Sequence, residues 1–393
     1  MRSVLMIGLP LVLFSGIAPA GTIDFSVTVS TLAGLAGPCG YRNGIGADAL
    51  FCSPKGMSVN IAGDIYTVDN WLGTLREITP AGLVTTVSGL AGSFGSADGE
   101  GSDARFRNPS GTAVDSAGNI YVADSGNCTL RKVTPAGAVT TLAGVAGSCI
   151  AVDGTGSDAR FNGLAGVAVD STDNIYVTGW GSCTIRKVTP AGEVSTIAGK
   201  DGVCTTVNGT GTAARFANPS GIAIDSDGNM YVADESGATI RKVTSNGVVT
   251  TLAGFPGAAG SVDGIGIEAR FDVPSWTAVD GLGNIYVTDY LDDTIRMVTP
   301  TGAVSTLAGL AYSGGSTDGT GGEARFLRPD GIAVYGASVY VADRGNNTIR
   351  ELTVSDAVPE PNSCMLLVIG VGALLVRYRA YTGGLNRERR LGG

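Results

Sequence analysis

The chain contains no histidine among its 393 residues. Without imidazole it lacks the commonest general base and the commonest metal ligand. That excludes His-dependent catalytic triads, HExxH zinc sites and zinc deaminase chemistry. Charged residues are scarce, at 16%, and Lys plus Arg (26) fall short of Asp plus Glu (35), giving a net charge of −9. Phosphate-backbone binding runs on cation contacts and counterion release, and no Lys/Arg run precedes the last residues, so nucleic acid is not an expected partner. Aromatic residues are also few, at 6%. Nothing sustains a 3.6-residue apolar period, so helices are not expected to build the core. Glycine is what abounds, with 61 residues, inside a composition that is 44% hydrophobic. That mix suits many short strands joined by tight turns around an ample core, and it argues against global disorder.

A period of 55 residues organises the chain. Phe51, Phe106, Phe161, Phe216, Phe271 and Phe326 keep it, as do Arg76, Arg131, Arg186, Arg241 and Arg296, with Arg350 one residue short. Each of six copies holds four short runs of β character, seen in the second copy at 112–115, 119–123, 129–134 and 138–143. Apolar and polar residues alternate in GNIYVAD and TLRKVT, the two-residue period of a strand. Asp115–Gly118 and Pro135–Gly137 between the runs are turn material. Four antiparallel strands per copy, repeated six times, predict an all-β, six-bladed β-propeller. The sixth copy meets Pro359 before its fourth strand. A matching strand stands at the other end, where VTVSTLAG (27–34) aligns with the VTTLAG of other copies. Residues 27–34 are therefore expected to complete the last blade beside 348–353, closing the ring and covering two strand edges.

The full repeat, DGxGxxARFxxPxGxAVDxxGNIYVAD followed by TIRKVTPxGxVTTLAG, resembles the NHL repeat of six-bladed propellers over residues 27–354. The resemblance implies a non-catalytic binding or scaffold module, without a cofactor and monomeric. The few enzymes among such relatives, amidating lyases for example, rely on histidine and metal. A lactonase-like site with a carboxylate-bound metal is the remaining catalytic alternative, and a passive structural surface protein is another.

Both ends carry targeting patterns. Residues 1–20 place Arg2 before an apolar run and finish in Ala18-Pro19-Ala20, the pattern of a signal peptide cleaved after Ala20. The propeller is assigned to 21–357. Residues 358–393 open with Val358, Pro359, Glu360 and Pro361, continue through an apolar segment at 364–376 and end in a basic tail. This arrangement resembles the PEP-CTERM sorting signal of Gram-negative bacteria. The resemblance implies export through the inner membrane, retention by the C-terminal segment, processing by an exosortase and a place at the cell envelope. Basic residues after the segment fit a cytoplasmic tail.

Four residue sets are candidates for chemistry. The Asp-Gly segments, such as ADGEGSDARF (97–106), keep carboxylates near glycines, but EF-hand spacing is absent and the fourth copy reads VNGTGTAARF. They are expected to serve turns, with Arg-Phe anchoring neighbouring blades. Asp69, Asp124, Asp234, Asp289 and Asp343 close the second strand, and Gly179 interrupts the set. A carboxylate ring around a channel would hold a cation; acceptance of backbone N–H groups in the following loop is the expected role. Among seven cysteines, Cys128 begins a third strand and Cys149 lies beyond the fourth, so hairpin pairing brings them together. Cys183 and Cys204 repeat that arrangement, and Cys39 and Cys52 remain as a pair. Finally, Trp71, Trp180 and Tyr290 fall between second and third strands, while Trp276 replaces the glycine seen at Gly111 and Gly221. Antiparallel topology puts these positions on one loop-rich face. Flat apolar rings there suit sugars or extended peptides, which makes envelope polysaccharide or another exported protein the expected ligand. Packing beneath the linkers is the competing reading.

Overall fold

The computed structural model describes residues 25–356. The expected cleavage site at Ala20, the Val358–Pro361 motif and the 364–376 segment lie outside the described residues. The described residues form six five-stranded sheets. In the first blade the order is Pro54–Val59, Ile65–Asp69, Thr74–Ile78 and Leu83–Ser88, with the two-residue strand Gly44–Ile45 at the far edge. First strands of neighbouring blades touch one another and line an axial cavity of about 220 Å³. Each blade thus has one strand more than the four expected. The extra one comes from the Asp-Gly segment, whose two extended residues, Gly99↔Val139 and Glu100↔Ala138 in the second blade, pair with the fourth strand. A strand that short leaves no periodicity in the sequence.

The ring closes as expected. Phe25–Ala33 lies between Gly319–Thr320 and Thr348–Asp356, completing the sixth blade. Thr28 pairs with Thr320 and Val29 with Gly319. Thr31 adds side-chain closure, donating from its N–H and its hydroxyl to Asp318 at 3.2 and 3.0 Å.

Second strands are buried on both faces, as at Ile120–Asp124. The alternation in the sequence therefore divides two apolar faces rather than core from solvent. Ile120 and Val122 pack with Tyr66, Val68 and Leu75 of the first blade. Tyr121 and Ala123 pack with Ile175 and Val177 of the third. Each of six such interfaces contains one member of the phenylalanine series, every one of them buried. Burying such a ring contributes about 2 to 3 kcal/mol. Glycine ends the fourth strand for a steric reason: Gly144 has φ +96°, and a Cβ there would lie 2.7 Å from the Cys128 carbonyl oxygen.

Candidate functional site

The turns between second and third strands share one face of the ring with the linkers that lead into the next blade. Two clefts open on that face. One, of about 440 Å³, is lined by Trp180, Lys55, Asn108 and Asn162 together with the Cys128–Cys149 bridge. The other, of about 510 Å³, is lined by Trp71, Tyr290, Arg328 and Arg344. Trp71 and Trp180 are 61% and 51% exposed. The Trp180 backbone N–H donates to the Gly163 carbonyl at 2.8 Å, and the Trp180 ring lies so close to Gly163 that a Cβ there would meet Cε2 at 3.0 Å. Tyr290 is half-buried, with the Arg344 guanidinium 5.8 Å from its ring centroid.

Trp276 behaves differently. It is 2% exposed and packs in the interface between fifth and sixth blades. Neighbouring first strands approach so closely at this level that a Cβ on Gly56 would sit 2.2 Å from the Ser110 carbonyl oxygen. The first strand of the fifth blade has a pairing irregularity between Pro274 and Trp276, as the first strands of other blades do at the equivalent place. The Lys55 ammonium caps the indole at 5.7 Å from the ring centroid. The structure therefore brings Trp71 and Tyr290 together, gives Trp180 the other cleft, and takes Trp276 off the surface.

Between the clefts, charged groups from three blades converge. Arg344 Nη1 binds Asp330 at 3.0 Å, and its Nε donates to Ser53 Oγ at 2.8 Å. Burial raises the Glu235 carboxyl; Asp330 adds to that, while Lys55 and Arg344 oppose it. Groups from the first, fourth and sixth blades feel one another only where all reach toward the axis.

The carboxylates closing the second strands do not ring the channel. Asp69, Asp124, Asp234, Asp289 and Asp343 are fully buried. All five pair with the arginine seven residues on, at 2.6 Å (Arg76), 2.9 Å (Arg131), 3.0 Å (Arg241), 2.8 Å (Arg350) and, more loosely, 3.7 Å (Arg296). They also accept backbone N–H groups, but from the linker that precedes the blade rather than the loop that follows, as from Arg107 to Asp124 at 2.8 Å. The side chain points outward to where that linker enters. Burial pushes the carboxyls of Asp69, Asp124, Asp234 and Asp343 up to about 6. Asp289 goes to about 7, through burial and then the charge of Asp292.

The Asp-Gly aspartates do more than shape a turn. Asp98 accepts Arg131 Nη2 at 2.7 Å and the Thr141 hydroxyl at 3.0 Å. Asn208 does the same for Arg241 at 2.8 Å and Thr251 at 3.1 Å, so an amide oxygen suffices where the fourth copy lacks a carboxylate. Each of the six arginines lies over the phenylalanine of its own repeat, at 4.9 to 5.3 Å from the centroid. Of the Arg-Phe dipeptide, Phe106 is the anchor, while Arg105 donates to the carbonyl oxygens of Ser102 and Ala104. These buried pairs build blades, and sequence reading missed them. The signal was available: Asp and Arg recur seven residues apart in the copies that have both.

The cysteines join as expected, Cys39–Cys52, Cys128–Cys149 and Cys183–Cys204, with Cα separations of 4.4, 5.4 and 5.3 Å.

Two family descriptions match this chain: NHL repeat over residues 106–133 and Teneurin NHL domain over 204–273. Over those residues the chain is similar to NHL repeats. Human NHL repeat-containing protein 2 is 28% identical over 292 residues, which cover 65% of this chain and 40% of that protein. The chain thus spans about two fifths of the length of the curated relatives it matches first. A Bacteroides thetaiotaomicron structure of unknown function superposes with a TM-score of 0.65 at 24% identity, covering 84% of this chain and 77% of that one. An auxiliary nutrient binding protein of the same organism gives 0.64 at 17%, covering 84% and 76%. At those identities the likeness is one of fold.

Proposed function

We propose that this NHL propeller is an exported, non-catalytic binding or scaffold module at the cell envelope, initially anchored in the membrane by its C-terminal segment and a substrate of an exosortase-type processing enzyme. Its ligand is envelope polysaccharide or another exported protein, taken up on the loop face. The observation that carries the reading is the pair of exposed indoles, Trp71 and Trp180, each at the rim of its own cleft on one face. A planar ring left half in water on a rigid blade is a platform for a sugar ring or an extended chain. The three disulfides fit an oxidising compartment.

The test is a screen of the purified full-length chain against a glycan array and isolated envelope polysaccharide, beside a Trp71→Ala/Trp180→Ala variant. Binding that disappears in the variant at an unchanged thermal midpoint is the expected result. Equal binding by both proteins would show that the indoles are not the platform. One tightly bound divalent ion per purified chain, found by metal analysis, would favour a lactonase-type enzyme instead.

A further inference from the structure

The two clefts differ from the rest of the molecule in charge. Across the whole sequence acidic residues outnumber basic ones, 35 to 26. Among the described residues lining the clefts there is no Asp or Glu at all, yet one cleft has a lysine and the other two arginines in its wall. In the Trp180 cleft the cation is Lys55. Its ammonium makes no hydrogen bond or ion pair; it rests over the Trp276 ring, with Glu235 within electrostatic reach. In the Trp71 cleft Arg328 is exposed and its guanidinium has no ion pair, although Asp293 accepts its backbone N–H at 2.7 Å. The side-chain amides of Asn108 and Asn162, in the Trp180 cleft, are also unspent on the protein.

From this combination we infer that the ligand of the loop face is an acidic saccharide, a chain of uronate-type sugars. The inference rests on the binding reading above and narrows it. Each group has work on such a ligand. The Trp180 ring offers its face to the apolar side of a pyranose. The Asn108 and Asn162 amides hold donors and acceptors for ring hydroxyls. The Lys55 ammonium supplies a charge-assisted hydrogen bond to a carboxylate. Trp71 and Arg328 repeat the pairing of indole and cation in the second cleft, so one polymer has two similar places to sit. A neutral sugar would leave both cations unused. A peptide would draw much of its affinity from main-chain pairing with a strand edge, and these clefts are walled by loops and side chains.

The experiment titrates the full-length chain calorimetrically with an oligogalacturonate, with its methyl ester and with a neutral glucan of equal length, at low and high salt. A charge-assisted contact predicts that the acid binds roughly tenfold or more tighter than the ester, and that salt erodes the difference. Lys55→Met should remove most of the preference and keep the residual affinity. Trp180→Ala should weaken acid and ester alike. Leu282→Gln, on the opposite face, should change neither. Equal affinity for acid and ester in the wild-type chain would overturn the inference and leave glycan binding standing; so would a preference that survives both Lys55→Met and Arg328→Gln. Capture of an exported protein with no saccharide bound would overturn the inference together with the glycan reading.

Discussion

The third blade offers a natural test of how the buried arginines are held. In the second blade Arg131 has two carboxylates, Asp98 at 2.7 Å and Asp124 at 2.9 Å. In the third blade Gly179 stands where the strand-closing aspartate would be, and Arg186 keeps only Asp153, bound through Nη2 at 2.6 Å and Nε at 3.1 Å. Asp98 and Asp153 are alike in exposure, at 51% and 47%. Their removal should nonetheless differ in cost. Asp98→Ala takes one half-exposed contact from an arginine that retains a buried partner, worth about 1 kcal/mol. Asp153→Ala leaves a buried guanidinium with carbonyl oxygens as its hydrogen-bond partners and only the charge of Asp201 nearby, costing about 3 kcal/mol, at the low end for breaking a buried pair because water reaches the vacated position. Unfolding residues 26–355 carries an entropy of about 0.7 kcal/mol/K. The difference of about 2 kcal/mol then separates the two variants by about 3 °C in thermal midpoint, readable by calorimetry. A compensating pair sharpens the test. A Cβ on Gly179 would meet Ser182 Oγ at 2.1 Å, whereas the fourth blade combines Asp234 with Gly237. In a Gly179→Asp/Ser182→Gly background, Asp153→Ala should cost no more than Asp98→Ala. Equal midpoints for the two single variants, or a larger loss for Asp98→Ala, would refute the reasoning.

Two further outcomes follow from the same geometry. Ala238, with φ +53°, holds the position that Cys128 (+60°) and Cys183 (+58°) take in the preceding blades. Ala238→Cys/Ala259→Cys should oxidise spontaneously and add about 3 kcal/mol; two titratable thiols more than the wild-type chain shows after air oxidation would mean that the fourth blade is built differently. The strand-closing aspartates also give stability a direction in pH. Their folded pKa values, about 6 to 7, lie above the unfolded value of about 3.9. Between those limits the folded state holds more protons, so stability should fall as pH rises from about 4 to 7 and level off above. Asp170, lowered to about 2 by its hydrogen bonds to Asn174 and Thr172 against burial, acts only below that window. A thermal midpoint that climbs steadily from pH 5 to 7.5 would contradict the assignment.

The architecture was legible because it is written six times. A 55-residue period, alternating runs and an orphan strand at 27–34 determine blade number and closure without any single strand having to be convincing. Cys128 and Cys149 were legible because hairpin register alone brings their positions together. The arginine ladder was obscured by its own geometry. In the hairpin Arg131 stands opposite Val122, not Asp124, so strand pairing does not announce the ion pair; only the long side chain, folded over Phe106, closes it. Trp276 misled because substitution of glycine by tryptophan looks like a surface elaboration. At an interface where first strands nearly touch, the space for an indole lies between blades. The charge contrast of the clefts was invisible for another reason: Lys55, Asn108 and Asn162 come from different repeats and meet only in space.

The sixth blade also sets an order of events. Its first partner pair, Thr28 and Thr320, are nearly the whole ring apart in sequence, and contacts of such separation form late and slowly. Five blades can stack in order as the chain is synthesised, but Phe25–Ala33 must wait for Thr348–Asp356. Until then Val27 and Val29, both buried in the finished ring, face solvent along an unpaired edge, the form in which β-rich chains aggregate. The same device that seals the mature propeller thus opens a window of vulnerability during its birth, and any holdase serving this protein would find its target at the leading strand.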